Sequence, residues 1–219
     1  MLSYYNERAA EHDIVYMGQG PALQQYSGDY IKDVDEISRM AAGFGSGHLI
    51  DIACGTGFWA PHYARNCAWI TFLDQSERML SECRKRVQES GIETTVRFIR
   101  GNIFDEEMEA SVFDCALIGF LLSHLSAERE GALFKKLKEI LKPDARLMVI
   151  ESVWSEKRKG YRQKTGIENR VLNDGRSFRV YKKYFEQTEV EEMLESHLFA
   201  IESIYVGEML IAAVPERTR

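Results

Sequence analysis

The residues best suited to chemistry in this sequence form a glycine-rich turn between an apolar run and the start of a helix. The segment reads Leu-Ile-Asp-Ile-Ala-Cys-Gly-Thr-Gly-Phe-Trp and occupies residues 49–59. Small residues in such a turn let the backbone approach a ligand closely at the carboxyl end of a strand. The residues beside the glycines then decide which ligand fits.

Two common ligands of such turns are excluded by the residues that follow Gly57. A P-loop requires Lys and then Ser or Thr, whereas Phe58 and Trp59 stand there. A dinucleotide-binding turn requires a small residue where Phe58 stands. Asp51 would repel a pyrophosphate by about 1 kcal/mol or more at short range. The same carboxylate favours S-adenosylmethionine, which carries an ammonium and a sulfonium and whose own carboxylate suits the loop amides.

A second acid, Asp74, follows the next apolar run, 23 residues after Asp51. An acid at about this spacing, at the tip of the second strand, suits bidentate hydrogen bonding to two ribose hydroxyls. The alternative is a helix cap, a role that Ser76 could equally take.

The ends of the third and fourth strands offer the remaining candidate contacts to this ligand. The amide oxygen of Asn102 could accept a hydrogen bond from the adenine amine, and Ile103 could cover a ring face. A polar loop residue is the alternative interpretation of Asn102. Gly119 would let the backbone approach the methionyl end of the ligand.

Alternating apolar runs and amphipathic helices predict an α/β fold with a doubly wound, mostly parallel sheet. The predicted strands of the core are 48–53, 68–73, 94–100, 113–119 and 145–151. The predicted helices between them are 76–90 and 126–142, the second ended by Pro143.

The alternation stops after residue 151. The pair Asp174-Gly175 predicts a hairpin turn in a small lid, and Thr188 to Glu191 predicts a capping box that begins the last helix. Two final apolar runs, 199–206 and 209–214, predict a terminal hairpin.

Length and composition are those of one globular domain. The chain has 219 residues, of which 45% are hydrophobic and 28% charged. The longest apolar stretch, 116–122, is too short to span a bilayer, and no secretory signal is evident. The four cysteines lack a CxxC pair, which argues against a zinc site or a disulfide framework, so we expect no metal and a reduced, cytoplasmic location.

The net charge of −6 predicts repulsion of nucleic acid and of anionic membranes, so neither is expected as a partner. The segment 157–183 departs from this, with ten lysines or arginines against two acids. It is either a solvated lid or a basic mouth that attracts an anionic substrate.

Five segments in register resemble the class I S-adenosylmethionine-dependent methyltransferases. They are DIACGTG, FLDQS, RGNIFD, FDCALIGFLLSHLS and LKPDARLMVIES. The resemblance covers residues 1–151 and the terminal hairpin, and the later segments resemble a bacterial subgroup of small members. Ala53 replaces the first glycine of the usual loop, which is the smallest change possible.

The resemblance implies a single domain with a seven-stranded sheet whose last strand is antiparallel. Its parts would be a helical N-terminal arm (1–45), a donor-binding core (46–153), a hairpin lid (154–185) and a last helix with the terminal hairpin (186–219).

It also implies S-adenosylmethionine as cofactor. Asp51 and the loop would cradle the methionine part, Asp74 would take the ribose, and Tyr4 or Tyr5 with Arg8 would close over the donor. The expected donor-binding residues are Tyr5, Arg8, Asp51, Ala53, Cys54, Gly55, Gly57, Asp74, Gln75, Met79, Asn102, Ile103, Gly119 and Phe120.

The acceptor is expected to be a small molecule. A base is required only for a hydroxyl or a protonated amine, and His124, after the fourth strand, is the candidate. A hydrogen-bonded histidine that orders its loop is the alternative. If the acceptor is anionic, Arg176 or Arg179 of the lid would anchor it. An RNA or protein methyltransferase that docks through 157–183, and a donor-binding protein without turnover, remain as alternatives.

Overall fold

Nine strands and seven α-helices lie in the part of the chain that the structure, a computed structural model, describes: residues 1–17 and 26–218. Residues 18–25 of the predicted arm lie outside it. The strands are β1 His48–Ile52, β2 Trp69–Asp74, β3 Thr95–Arg100, β4 Phe113–Gly119, β5 Leu141–Ser152, β6 Thr165–Val171, β7 Ser177–Lys183, β8 Phe199–Val206 and β9 Leu210–Arg217.

The α-helices flank these strands. They are α1 Leu2–Arg8, α2 Ser27–Ala42, α3 Ala60–Tyr63, α4 Glu77–Glu89, α5 Ala127–Ile140, α6 Glu156–Lys159 and α7 Gln187–Ser196. Short 3-10 helices occupy Ala9–Val15, Ala64–Asn66 and Leu122–His124. In the described part of the chain no helix is both long enough and apolar enough to cross a membrane.

The main sheet has seven strands in the order β3-β2-β1-β4-β5-β9-β8. β1 to β5 pair in parallel, and β9 runs antiparallel to both β5 and β8. The predicted doubly wound sheet with an antiparallel last strand is therefore confirmed. The order reverses between β1 and β4, where the carboxyl ends of open α/β sheets leave a crevice for ligands.

Apolar residues alternate between the two faces of the sheet and form two cores. Ile50 and Ile118 belong to the core beneath α5 and α7, whereas Leu49 and Leu117 belong to the core beneath α2 and α4. All four are almost wholly buried. Burial on both faces explains why the strands read as continuous apolar runs.

Helix boundaries follow from their caps. Ser76 accepts a hydrogen bond from the Met79 amide and begins α4. Ser126 does the same at α5, which ends at Ile140 because Leu141 is already extended and starts β5. The prediction that this helix continues to residue 142 was therefore wrong by two residues.

The last helix begins earlier than predicted. Glu186, not Thr188, is the N-cap of α7, and its side chain forms the capping box with Glu189. Glu186 follows Phe185, which bridges to Val153 at the end of the sheet. That bridge fixes where the extended chain stops and the helix starts.

The strands β6 and β7 form the predicted hairpin as a separate two-stranded sheet. Gly175 takes a φ of +86° in its turn, a conformation that glycine adopts without strain. Residues alternate between the two faces of the hairpin. This alternation decides which lid side chains face the body of the protein.

A buried carboxylate joins α2 to the terminal hairpin. Asp33 is 1% exposed and accepts hydrogen bonds from the Tyr205 hydroxyl at 2.8 Å, the Met209 amide at 2.7 Å and the Leu210 amide at 2.9 Å. A Cβ at residue 207 would lie 2.2 Å from its Oδ1, so the turn requires glycine there.

We predict that Asp33→Ala lowers the free energy of unfolding by about 2–4 kcal/mol, because two buried amides lose a charged acceptor. Urea denaturation measures this. Asp35→Ala, at an exposed position of the same helix, should change it by less than about 0.5 kcal/mol. Equal effects of the two substitutions would contradict the role of Asp33.

Candidate functional site

A cavity of about 250 Å³ opens at the carboxyl ends of β1, β2 and β4. Twelve of the fourteen residues expected to bind a donor line it. They are Tyr5, Asp51, Ala53, Cys54, Gly55, Asp74, Gln75, Met79, Asn102, Ile103, Gly119 and Phe120. Gly57 and Arg8 do not line it.

The loop after β1 is shaped by left-handed backbone. Ala53, Gly55 and Gly57 have φ of 54°, 55° and 67°. Ala53 thus keeps the conformation that glycine would favour, at a cost of about 1–2 kcal/mol. Gly57 packs against α4, where a Cβ would lie 2.6 Å from the Cys83 sulfur. Its contribution is therefore to the packing of the loop and not to the cavity wall.

Asp74 holds this loop to the end of β2. Its Oδ2 accepts from the Gly55 amide at 2.9 Å, and its Oδ1 accepts from the Ser76 amide at 2.8 Å. Burial raises the pKa of Asp74, and these two hydrogen bonds oppose the rise. Ser76 caps α4, so the capping role that competed with ribose binding belongs to Ser76.

Asp51 lies within β1 and faces the cavity, two residues before the loop. It is 2% exposed, and the Tyr63 hydroxyl donates to its Oδ2 at 2.6 Å. Burial raises its pKa to about 7, against the effect of that hydrogen bond. A cation in the cavity would lower this pKa and be held by the carboxylate.

Asn102 is engaged locally. Its Oδ1 accepts from the Phe104 amide at 3.2 Å, and its Nδ2 donates to Asp105 at 3.0 Å. Ile103 beside it is buried against the cavity. The arrangement orders the loop after β3 and leaves one lone pair of the amide oxygen for a ligand.

The N-terminal arm covers the cavity through polar contacts. The Ser76 hydroxyl donates to the Asn6 side chain at 2.6 Å, and the Thr56 hydroxyl donates to Asp13 at 2.6 Å. Arg86 of α4 also pairs with Asp13. The arm thereby places Tyr5 in the cavity wall.

A second cavity, of about 80 Å³, adjoins the first. Residues common to both walls are Tyr5, His12, Tyr16, Phe120 and His124, and we call them the junction. Five cations also line the second cavity: Arg8, Arg158, Arg162, Arg170 and Lys182. Among the described residues of its wall there is no carboxylate.

Two carboxylates behind the wall offset part of this charge. Glu168 pairs with Arg170 at 2.8 Å and with Arg162 at 3.8 Å. Glu151 lies 3.8 Å from Lys182, whose pKa burial lowers to about 8. Cations therefore exceed the nearby acids.

Two of these cations keep a buried donor without a hydrogen bond. The Nε atom of Arg8 is buried and has no hydrogen-bond partner among the described residues. The Nε atom of Arg162 is also buried without a hydrogen bond, and its ion pair with Glu168 is long, at 3.8 Å. Arg158 differs, because it donates at 2.7 Å to the carbonyls of Val153 and Met209. Leaving buried donors unpaired costs free energy, which an anion in the cavity would recover.

Arg176 and Arg179, the expected anchors, line neither cavity. Arg176 is exposed at the tip of the hairpin and pairs with Glu7 and Asp174. Arg179 is exposed on the outer face, opposite Asn169. The hairpin register places Arg170 and Lys182 on the inner face, at even positions. Counting alternate residues along each strand from the Asp-Gly turn could have identified these two residues from the sequence.

His124 lies at the junction with both ring nitrogens engaged. Nδ1 lies 2.7 Å from the Tyr181 carbonyl, and Nε2 lies 2.7 Å from the Tyr5 hydroxyl. A carbonyl only accepts, so Nδ1 carries the proton and Nε2 accepts from Tyr5. Burial and the nearby Lys182 lower the pKa of His124 to about 3. The ring is a weak base here, and its contacts suit the loop-ordering role.

Comparisons with known proteins agree with this geometry. Residues 49–144 match the family model for a methyltransferase domain. A carboxy-S-adenosyl-L-methionine synthase of Shewanella piezotolerans is 30% identical over 60% of this chain and 55% of its own length. A dTDP-3-amino-3,4,6-trideoxy-alpha-D-glucopyranose N,N-dimethyltransferase of Streptomyces venezuelae is 26% identical over 69% of this chain and 59% of its own.

The chain thus spans little more than half the length of these curated relatives. A solved structure described as a DhpI–SAH complex superposes with a TM-score of 0.73 at 23% identity, covering 99% of this chain and 95% of that one. Similarity at this identity supports the fold.

We predict that His124 stays neutral, with its proton on Nδ1, throughout the range from pH 8 down to about 5. Its pKa of about 3 lies below the ordinary 6.5, so the unfolded chain takes up this proton more readily. The native state therefore loses stability as the pH falls from 6.5 towards 3. Nitrogen-detected NMR, with His124→Asn to assign the signal, measures the titration, and a midpoint above 5 would contradict the geometry.

Proposed function

Residues 49–144 match a methyltransferase domain, and from this premise we propose that the chain is a class I, S-adenosylmethionine-dependent methyltransferase that transfers the donor's methyl group to a small, negatively charged acceptor. The observation that carries the proposal is the pair of adjoining cavities. One contains two carboxylates beside a glycine-rich loop, and the other is lined by five cations. A cationic donor and an anionic acceptor would meet at the junction between them.

In the donor cavity, Asp51 would bind the ammonium of the methionine part and the loop amides its carboxylate. Asp74 would accept from the ribose hydroxyls with the lone pairs that Gly55 and Ser76 leave unused. Asn102 and Ile103 would meet the adenine. These roles are supported by the position of each residue in the cavity wall.

In the acceptor cavity, Arg170 and Lys182 take the role expected of Arg176 and Arg179. Both belong to the basic segment singled out in the sequence, and both face the second cavity. A guanidinium and an ammonium there suit a carboxylate or a phosphate group on a small molecule. Tyr5 of the arm would close over donor and acceptor together.

The alternative of RNA or protein docking through 157–183 finds less support. Four cations of this segment, two exposed and two half-buried, pair with acids from other parts of the chain. The pairs are Lys157 with Asp29 and Glu208, Lys164 with Glu186 and Glu189, Arg176 with Glu7, and Lys183 with Glu130. The local positive charge is thus largely neutralised in the folded protein.

We predict that an RNA oligonucleotide shows no saturable binding near 0.15 M salt. Fluorescence anisotropy at several salt concentrations measures this. Tight binding whose logarithm falls steeply with the logarithm of salt concentration would instead favour the RNA alternative.

The donor assignment predicts that the protein binds S-adenosylhomocysteine and that NAD and ATP bind far more weakly. Asp74→Ala should lower donor affinity by about tenfold or more, because hydrogen bonds to a charged acceptor are lost. Calorimetry measures both.

Glu77→Ala is the matched control, since Glu77 is an exposed acid three residues further along. Circular dichroism verifies that both variants fold. Unchanged donor affinity in Asp74→Ala would refute the ribose assignment, and preferential binding of NAD would refute the proposed function. Turnover of any acceptor excludes a protein that only stores the donor.

A further inference from the structure

We propose that the acceptor is an oxyacid whose ionised oxygen itself takes the methyl group, so that the product is a methyl ester and no catalytic base takes part. This inference rests on the proposed function and deepens it. It follows from what lies at the junction and from what the junction lacks.

The cations lie close enough to the junction to hold an anion beside the donor. Lys182 donates to the Ser123 hydroxyl at 2.6 Å, and its Nζ lies 5.8 Å from the centre of the Phe120 ring. Phe120 belongs to the junction and so also forms part of the donor cavity wall. Arg170 shares the second cavity with Lys182 and acts electrostatically on Tyr5 and His124. An oxyanion bound by this pair would therefore have an oxygen at the junction.

No side chain of the junction is arranged to remove a proton from an acceptor. Both ring nitrogens of His124 are hydrogen-bonded, and the Tyr5 hydroxyl donates its proton to one of them. His12 lies with Nδ1 3.3 Å from Asp13, and its Nε2 lies against the donor loop, 3.9 Å from where a Cβ of residue 55 would stand. Burial also raises the pKa of the Tyr16 phenol well above its ordinary range, so this group stays protonated.

The carboxylates near the junction lie outside both cavities. Glu151 and Glu168 line neither cavity. Oε2 of each has no hydrogen-bond partner among the described residues but lies beside a cation, Lys182 at 3.8 Å and Arg170 at 2.8 Å. Glu151 accepts from the Ser123 amide at 3.0 Å, and Glu168 accepts from the Tyr184 hydroxyl at 2.7 Å. Asp51 and Asp74 are assigned to the donor. A hydroxyl or a protonated amine would thus find no base, whereas an ionised oxyacid needs none.

The reaction balances without a proton. A lone pair of the acceptor oxygen forms the new bond to the methyl carbon, and the bond from that carbon to sulfur breaks with its electrons remaining on sulfur. The sulfonium becomes a neutral thioether, and the oxyacid loses one negative charge. The cations that hold the substrate then hold the ester less firmly, which favours product release.

Inorganic phosphate and acetate serve as probes, because they present the two common oxyanions without the rest of an acceptor. Each is titrated by calorimetry into the full chain saturated with S-adenosylhomocysteine. We expect saturable binding of at least one, and the stronger probe identifies a phosphoryl or a carboxyl group as the acceptor's anion. Binding of neither would overturn the inference.

Matched variants test the location of the probe. Lys182→Met and Arg170→Gln should each weaken its binding at least tenfold, whereas Arg179→Ala, on the outer face of the same hairpin, should leave it unchanged. Retained affinity for S-adenosylhomocysteine shows that each variant folds. Equal loss in all three variants, or in none, would overturn the assignment of Arg170 and Lys182.

A crystal structure of the ternary complex tests the chemistry. An oxygen of the bound probe should lie within about 5 Å of the donor sulfur, the separation that an in-line methyl transfer requires. A probe held more than about 8 Å away would show that the cations only bind the anion, and it would refute ester formation. Failure of S-adenosylhomocysteine to bind would refute the proposed function itself, a result distinct from donor binding without either oxyanion.

Discussion

The hydrogen bond from the Gly55 amide to the Asp74 carboxylate joins two neighbouring parallel strands at the edge where the ligand cavity opens. The Cys54 amide adds a second tie, to the Leu73 carbonyl at 3.0 Å. Together they hold the loop in its left-handed path. Ala53 tolerates that path because strand pairing at Ile52 fixes the chain before it and the two ties fix the chain after it. The shape of the donor cavity therefore depends on a half-buried carboxylate, Asp74, that accepts hydrogen bonds from backbone amides.

The walls of the two cavities carry opposite charges. Asp51 and Asp74 stand on the donor side, and Arg170 and Lys182 on the other, with neutral aromatic and imidazole rings between them. Attraction between charges strengthens in a poorly solvated site. When a sulfonium reacts with an oxyanion, the positive charge on sulfur and the negative charge on oxygen both decrease as the transition state is approached. A half-buried junction such as this one destabilises the separated ions relative to that state.

The core and the donor loop could be predicted from the sequence because the patterns that identify them are local. The apolar runs, the glycines of the loop and the serine caps each act within a few residues, and β4 was predicted with its exact ends. The acceptor side depends on long-range pairing. Arg176 reaches Glu7, and Lys183 reaches Glu130, so the net charge of the basic segment says little about its exposed surface. Odd and even positions of a strand face opposite sides, so Arg179 lies on the outer face of the hairpin and Lys182 on the inner face. A prediction that is wrong by one residue therefore assigns the wrong face.

The N-terminal arm connects the parts of the site that the sheet does not. Tyr4 packs with Leu172 and Val180 of the hairpin region, while Glu7 pairs with both Arg176 of the hairpin and Arg78 of α4. The two ion pairs are largely exposed and stabilise the structure little. The arm is held mainly by half-buried polar contacts, from Asn6 to Ser76, from Asp13 to Thr56 and from Tyr5 to His124. Because Tyr5 lines both cavities, the arm closes both of them together, and donor exchange and acceptor entry would depend on the same segment.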